Sequence, residues 1–237
     1  MRRLLLLLLF LIAVAGFSAL GVWQVQRLAW KTDLIKRVDA RVHAAPVSAP
    51  VVTAAVTRDA DEYRRVVVHG QFLNDREAQV YTVSELGGGY WVMTPLRRHD
   101  GSIVLINRGF VPLDKHDPAT RIAGQTLGEV TVIGLLRSPE SKGWLFSQPN
   151  DPAHDLWYRR DIAAIAGTRH LVHVAPYFID ADATPNPGGW PRGGMTVVRF
   201  PNSHLAYALT WFSLAALLAG VGVWLSRTSP WKAPKNR

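Results

Sequence analysis

The sequence predicts a membrane protein in which a two-helix transmembrane hairpin, one span near each terminus, encloses a mainly β soluble domain. That domain is expected to be barrel- or sandwich-like and to carry a short helix. Three observations lead there: two long uncharged runs, the charge placed beside them, and a middle stretch with strand-and-turn texture. A helix rises about 1.5 Å per residue, so roughly 20 apolar residues cross a hydrocarbon core about 30 Å thick. Leu4 to Trp23 supplies twenty residues without a charge, Leu205 to Leu225 supplies twenty-one, and no run between them is as long.

The first run follows Arg2-Arg3, as a secretory signal would. Signal h-regions span about 7–15 residues and end at a small-residue cleavage site. Here the run is longer and passes straight into Trp23, Gln24 and Arg27, and the cleavage-like Ala13-Val14-Ala15 lies inside it. Residues 4–23 are therefore read as an uncleaved anchor. From Gln24 to about Val42 the charges recur on a helical period, which extends the helix, and Pro46 and Pro50 end it. Residues 24–45 are thus a helical continuation and linker, and 204–225 are the second span.

The net charge of +9 invites a nucleic-acid reading, and its placement argues against one. All 18 acidic residues lie between Lys31 and Arg199, among 20 basic ones, and the other seven basic residues flank the two apolar runs. Charge there orients spans and meets anionic headgroups, so membrane lipid is the expected partner. The basic tail, residues 226–237 with Arg227, Lys232, Lys235 and Arg237, argues for cytoplasmic termini. Lys31, Lys36, Arg37 and Arg41 point the other way, but long segments are translocated largely regardless of charge. The expectation is a bacterial inner-membrane protein with both termini cytoplasmic and residues 46–201 folded in the periplasm. A run that begins at Leu4 speaks against a mitochondrial transit peptide, and zero cysteines are compatible with the periplasm without requiring it.

From Tyr63 onward, short runs of β-branched and aromatic residues predict strands at Arg65–Val68, Ala78–Ser84, Tyr90–Leu96, Ile103–Asn107, Glu129–Leu136, Pro176–Ile179 and Met195–Phe200. Gly87-Gly88-Gly89 and His99-Asp100-Gly101 read as hairpin turns. The alanine- and isoleucine-rich Asp161–Ala166 is the candidate short helix.

Chemistry is sparse. The chain has no G-x-S-x-G elbow, P-loop, H-E-x-x-H or cysteine, and it is read as a binding protein, not an enzyme. His170 and His173 are spaced to share a metal only on a helix, and a plain surface role suits them better. His204 differs, because it stands at the mouth of the second span behind Asn202 and Ser203, either of which can cap the helix. An ionisable group in a span is costly and points to function. Helical spacing sets His204, Tyr207, Ala208 and Trp211 on one face, with Trp211 about 10 Å deeper. An imidazole at the polar edge above an aromatic plane suits a flat apolar ligand with a metal centre, and haem is such a ligand. Arg27, at the matching end of the first span, is placed to pair with a propionate. Plainer roles stand beside these: an interfacial histidine, a seam-filling Trp211, a snorkelling Arg27, and Trp23, Trp30, Trp224 and Trp231 as interfacial belts. Ala15 with Ala19, and Ala215 with Ala219, have the small-xxx-small spacing of close helix pairs.

Several segments together resemble a known family. They are Leu20-Gly21-Val22-Trp23-Gln24-Val25-Gln26-Arg27-Leu28-Ala29-Trp30-Lys31, Tyr63-Arg64-Arg65-Val66 with Gly70, Thr94-Pro95-Leu96, Val104-Leu105-Ile106-Asn107-Arg108-Gly109-Phe110, Trp157-Tyr158-Arg159-Arg160-Asp161, and Pro201-Asn202-Ser203-His204-Leu205 onward. In this order they resemble the surfeit locus protein 1 family, the assembly factors of haem–copper cytochrome c oxidase. The family usually has a second asparagine where Ser203 stands, and serine still caps. The resemblance implies a periplasmic or intermembrane-space domain between two spans. It also implies transient binding of haem a and its delivery to the catalytic subunit of the oxidase, with haem a synthase a further candidate partner. His204 is then the expected iron ligand, with Trp211, Tyr207, Arg27 and Trp23 around the cofactor. The alternative is a scaffold that binds no haem and stabilises an oxidase assembly intermediate through its periplasmic domain.

Overall fold

The computed structural model describes residues 2–140 and 148–228. The tail beyond them, with the predicted belt residue Trp231 and the cations Lys232, Lys235 and Arg237, lies outside the described residues. The chain divides into two units. One joins the residues up to Arg37 with those from Arg199 onward, and the other is Val38–Val198.

The helical unit is built from most of α1 (Arg2–His43) and from α4 (His204–Thr228). At 42 residues α1 runs well past the roughly 20 that a bilayer core requires, as the charged period after Trp23 predicts. Both helices are long and apolar enough to cross a membrane, and only 11% of each apolar window is buried. So little burial sets them apart from the core helices of a soluble fold, and two spans flank a mainly β domain as predicted.

The helices meet along a stripe of His204, Ala208, Trp211 and Ala215 on α4, with Ala208 and Ala215 buried. On α1 the facing positions include Phe17, Gly21 and Gln24. A Cβ at Gly21 would stand 2.6 Å from the Phe212 ring, so the absent side chain is what admits that ring. The expected small-residue pairs are corrected here: Ala15, Ala19 and Ala219 are exposed, and only Ala215 of the four is in the seam. Steps of four residues drift about 40° around a helix, whereas alternating steps of four and three stay in line.

In the β unit the strands are β1 (Val47–Ser48), β2 (Arg65–Phe72), β3 (Ala78–Ser84), β4 (Gly87–Arg97), β5 (Ile103–Pro112), β6 (Glu129–Arg137) and β7 (Val174–Ala181). A short α2 (Arg58–Asp61) precedes β2, and α3 (Ile162–Thr168) precedes β7. The sheet order is β1-β2-β6-β7-β5-β4-β3, and the end of β2 also pairs with the end of β4, Phe72 opposite Leu96. Five strands thereby close into a ring, with β1 and β3 as outer additions, so the domain is a barrel. Closure requires tight approaches: at Gly70 a Cβ would lie 2.2 Å from the Arg97 carbonyl oxygen.

Most pairings are antiparallel, but β5–β7 and β1–β2 are parallel. One core holds Val66, Val68, Leu96, Val104, Ile106, Tyr177 and Ile179. A second, on the other face, packs Val80, Met93, Leu105 and Phe178 under Trp157 and α3. β5 is buried on both faces, which is why Ile103-Val104-Leu105-Ile106 reads as a continuous apolar run rather than an alternation. Asp161 caps α3 by accepting from the Ala164 amide at 3.1 Å, so the helix starts one residue later than the composition suggests.

Two strand expectations are corrected. The glycine triplet is not the turn: Ser84 pairs with Gly87 and the chain reverses at Glu85-Leu86, while Gly88 and Gly89 sit inside β4. A side chain at Gly89 would strike the Val111 carbonyl, so packing inside the sheet explains that glycine. Met195–Phe200 is not a strand of the sheet. Both flanks of β5 and β7 already have partners, leaving this segment no edge there.

Candidate functional site

His204 is the first residue of α4 and is half-buried. Its Nδ1 lies 2.7 Å from Oε1 of Gln24 on α1, so the imidazole donates Nδ1–H to an amide oxygen. Gln24 is itself buried in the seam. This bond fixes the tautomer, leaving the lone pair on Nε2, the nitrogen open to a metal. Histidine ligands in metalloproteins are generally held this way, through the far ring nitrogen. The helix starts just after Pro201-Asn202-Ser203, where the Ser203 backbone carbonyl accepts from the Tyr207 amide at 3.2 Å as the first helical hydrogen bond.

The other candidates are placed as follows. Trp211 stacks on Phe17 with centroids 5.6 Å apart and planes 20° apart, so one ring face is spent within the seam. Tyr207 is exposed on α4, and Trp23 is exposed on α1. The Arg27 guanidinium sits 4.6 Å above the ring of Trp30, a turn further along its own helix. Trp23, Arg27 and Trp30, spaced i, i+4 and i+7, form a flank of α1 beside the Gln24 stripe. The structure thus brings His204 and Trp211 into one seam and sets Trp23, Arg27 and Tyr207 on exposed faces. Gln24 is the residue that sequence reasoning passed over. An amide at the end of an apolar run was the available signal, but its partner lies 180 positions away.

His170 and His173 both adopt left-handed backbone, at φ 52° and 55°, in the turn before β7. Among the described residues no group of three histidine, aspartate or glutamate side chains is placed to hold a metal.

The β unit places two of the segments that carry the resemblance, those with Asn107 and Arg160, in a buried polar network. Asp180 is 3% exposed and accepts from Asn107 Nδ2 at 2.7 Å, Arg137 Nη1 at 2.7 Å, Arg160 Nη1 at 3.2 Å and Thr196 Oγ1 at 3.0 Å. Burial works to lower the Arg137 pKa, but Asp180 and Glu62 outweigh it and the pKa rises. Burial likewise opposes ionisation of Glu140, and the hydrogen bonds from Arg160 overcome it, holding that carboxyl below its ordinary value. Arg108, fully buried, donates to the Gly124 carbonyl and to Asn186 at 2.9 Å, and lies 4.5 Å over the Phe72 ring. Among the described residues no carboxylate bonds to it, and burial, only partly offset by the charge of Glu77, lowers its pKa to about 10. Gly109 has φ +125°, and a Cβ there would stand 2.0 Å from the Arg192 carbonyl oxygen. Asn107-Arg108-Gly109 is therefore an architectural element of the barrel.

A family model described as the SURF1 family matches residues 11–216, which hold the barrel, most of α1 and the first half of α4. The chain belongs to the SURF1 family. Among its relatives, surfeit locus protein 1 of Homo sapiens is 39% identical over 225 residues, covering 88% of this chain and 73% of that one. The Xenopus tropicalis protein of the same name is 38% identical over 226 residues, covering 88% and 71%. The Takifugu rubripes protein is 34% identical over 225 residues, covering 88% and 91%. The matched span of this family member begins within the first apolar run and ends past Trp211, so it contains the Gln24–His204 pair.

Proposed function

We propose that this SURF1 family member is a non-enzymatic assembly factor for haem–copper cytochrome c oxidase that binds haem a at His204. It resides in the bacterial inner membrane with the barrel in the periplasm and both termini in the cytoplasm. The reading rests on the Gln24–His204 hydrogen bond, which orients Nε2 as a ligand nitrogen. Haem a, when bound, supplies the iron that this nitrogen holds, and the chain's task is to hold and orient it. The residues fit such a group: a tautomer-fixed imidazole at a span mouth, with exposed Tyr207 and Trp23 offering apolar surface and Arg27 offering a cation for a propionate. The site proposed for it is between the outer ends of the two spans, and the Phe17–Trp211 stack occupies the seam between the helices. The recipient is the oxidase catalytic subunit, and haem a synthase is the donor candidate.

The test is the optical spectrum of full-length protein purified from membranes with and without haem a synthesis. A Soret band that depends on that synthesis and is lost in His204→Ala supports the reading. Unchanged haem content in His204→Ala removes His204 as ligand. The scaffold reading draws on the same seam, since Trp211 and His204 already have partners within the chain. It predicts oxidase co-purification that survives His204→Ala and fails when the barrel surface is altered.

A further inference from the structure

A groove of about 830 Å³ opens in the barrel unit between the β3–β4 hairpin and the segment Met195–Val197. Small-molecule sites commonly occupy about 300–1,000 Å³. The apolar lining is Val83, Leu86, Trp91, Trp190, Met195 and Val197. Val83 on the hairpin is 73% exposed and Val197 on the other wall 64%, so both walls present an apolar side chain to water.

The polar lining is mostly spent within the chain. Thr184 Oγ1 donates to Asp182 at 2.6 Å, and Thr196 Oγ1 donates to Asp180 at 3.0 Å. Asn186 accepts from Arg108 at 2.9 Å and donates to the Pro191 carbonyl at 2.6 Å. Ser84 Oγ accepts from the Leu86 amide at 3.1 Å. Two side chains of opposite charge are left over, Glu85 on the hairpin and Arg192 across the groove. Neither has an ion pair or a side-chain hydrogen bond among the described residues. A ligand that satisfies this lining is apolar over most of its surface and brings one anionic and one cationic group.

The chain itself indicates where such a molecule comes from. Val197 stands seven residues before His204, the first residue of the span helix α4, and seven extended residues reach at most about 25 Å. The groove wall is therefore tethered to a membrane span. We propose that the groove seats one zwitterionic phospholipid, with an acyl chain against the tryptophans and valines, the phosphate on Arg192 and a headgroup amine on Glu85. Guanidinium groups pair with phosphate through a fork of donors, and tryptophan suits sites with one apolar and one wet end. This is a site on the barrel, distinct from the lipid that surrounds the spans, and it does not rest on the haem reading.

The probes are phosphatidylethanolamine and phosphatidylglycerol, each carrying a photoreactive diazirine on one acyl chain. Each is added at low fraction to bilayers holding the full-length protein, and adducts are mapped by peptide mass spectrometry. Adducts on the spans serve as the internal standard. Expected are phosphatidylethanolamine adducts on the peptides with Trp91, Trp190 and Val197. Phosphatidylglycerol, which has no amine for Glu85, should label them about tenfold less, the worth of one charge-assisted hydrogen bond. Glu85→Gln should erase that preference, and Val197→Asp should cut groove labelling by both lipids with span labelling unchanged. Spans labelled without the groove would overturn the proposal, as would equal labelling by the two lipids; both results come from the unaltered chain. So would a preference that survives Glu85→Gln. Dimerisation abolished by Val197→Asp would give the groove to a second copy and overturn the lipid reading.

Discussion

Replacing Gln24 by methionine, of similar length, separates two contributions that its side chain makes. As an interhelical bond, Gln24–His204 resembles those between membrane helices, which average about 0.6 kcal/mol. Its loss should therefore leave the helix pair assembled, with Phe17 still on Trp211 and Phe212 still at Gly21. As the group that orients a metal-binding imidazole, Gln24 should matter more. Removing a partner of this kind typically costs 10–100-fold in metal affinity, or about 1.4–2.7 kcal/mol. The assay is haem a content per protein, read from the Soret band, alongside thermal unfolding of the full-length protein in detergent. Expected are a large drop in haem retention and an unfolding midpoint within a few degrees of the parent. Gln24→Glu, which keeps an acceptor, should retain haem better than methionine. Unchanged haem in Gln24→Met would refute the orienting role, and equal loss of haem and fold would reduce the bond to packing.

Further outcomes test the barrel. Asp180→Ala leaves Arg137 with Glu62 and Arg160 with Glu140 but takes the acceptor from buried Asn107 Nδ2, and an unsatisfied buried group costs about 1–3 kcal/mol. Its unfolding midpoint should fall by roughly 2–12 °C, at 2–4 °C per kcal/mol for this size, whereas the exposed Asp75→Ala should be nearly silent. Gly109→Ala combines a strained φ with a backbone collision and should cost about 3 kcal/mol or more, seen as lost native near-UV signal or poor recovery. Glu140, whose folded pKa is depressed, contributes stability above its unfolded value near 4.5, lost as pH falls through the folded value. Acid titration of Glu140→Gln should therefore show a shallower loss of stability below about pH 4.5 than the parent.

Much was legible along the chain because it depends on local physics. Spans follow from run length, β5 from an unbroken apolar stretch, and α3 from its alanine- and isoleucine-rich composition. His204 stood out because an ionisable group in a span is costly wherever the chain folds. What escaped was non-local. Met195–Phe200 carries strand propensity, but a strand also needs a free edge, and the ring formed by β2, β6, β7, β5 and β4 offers none there. Gly87-Gly88-Gly89 looks like a turn until the register shows Gly89 packed against Val111.

The sequence by itself determined two apolar helices, a β-rich middle and a histidine at a span mouth. Only the tertiary structure decided that the middle closes into a barrel, since closure depends on Phe72 meeting Leu96. It also decided which residue holds His204. Gln24 lies 180 positions away, and nothing in its neighbours specifies that distant partner. The alternating four- and three-residue stripe that joins the helices brings amide and imidazole to 2.7 Å.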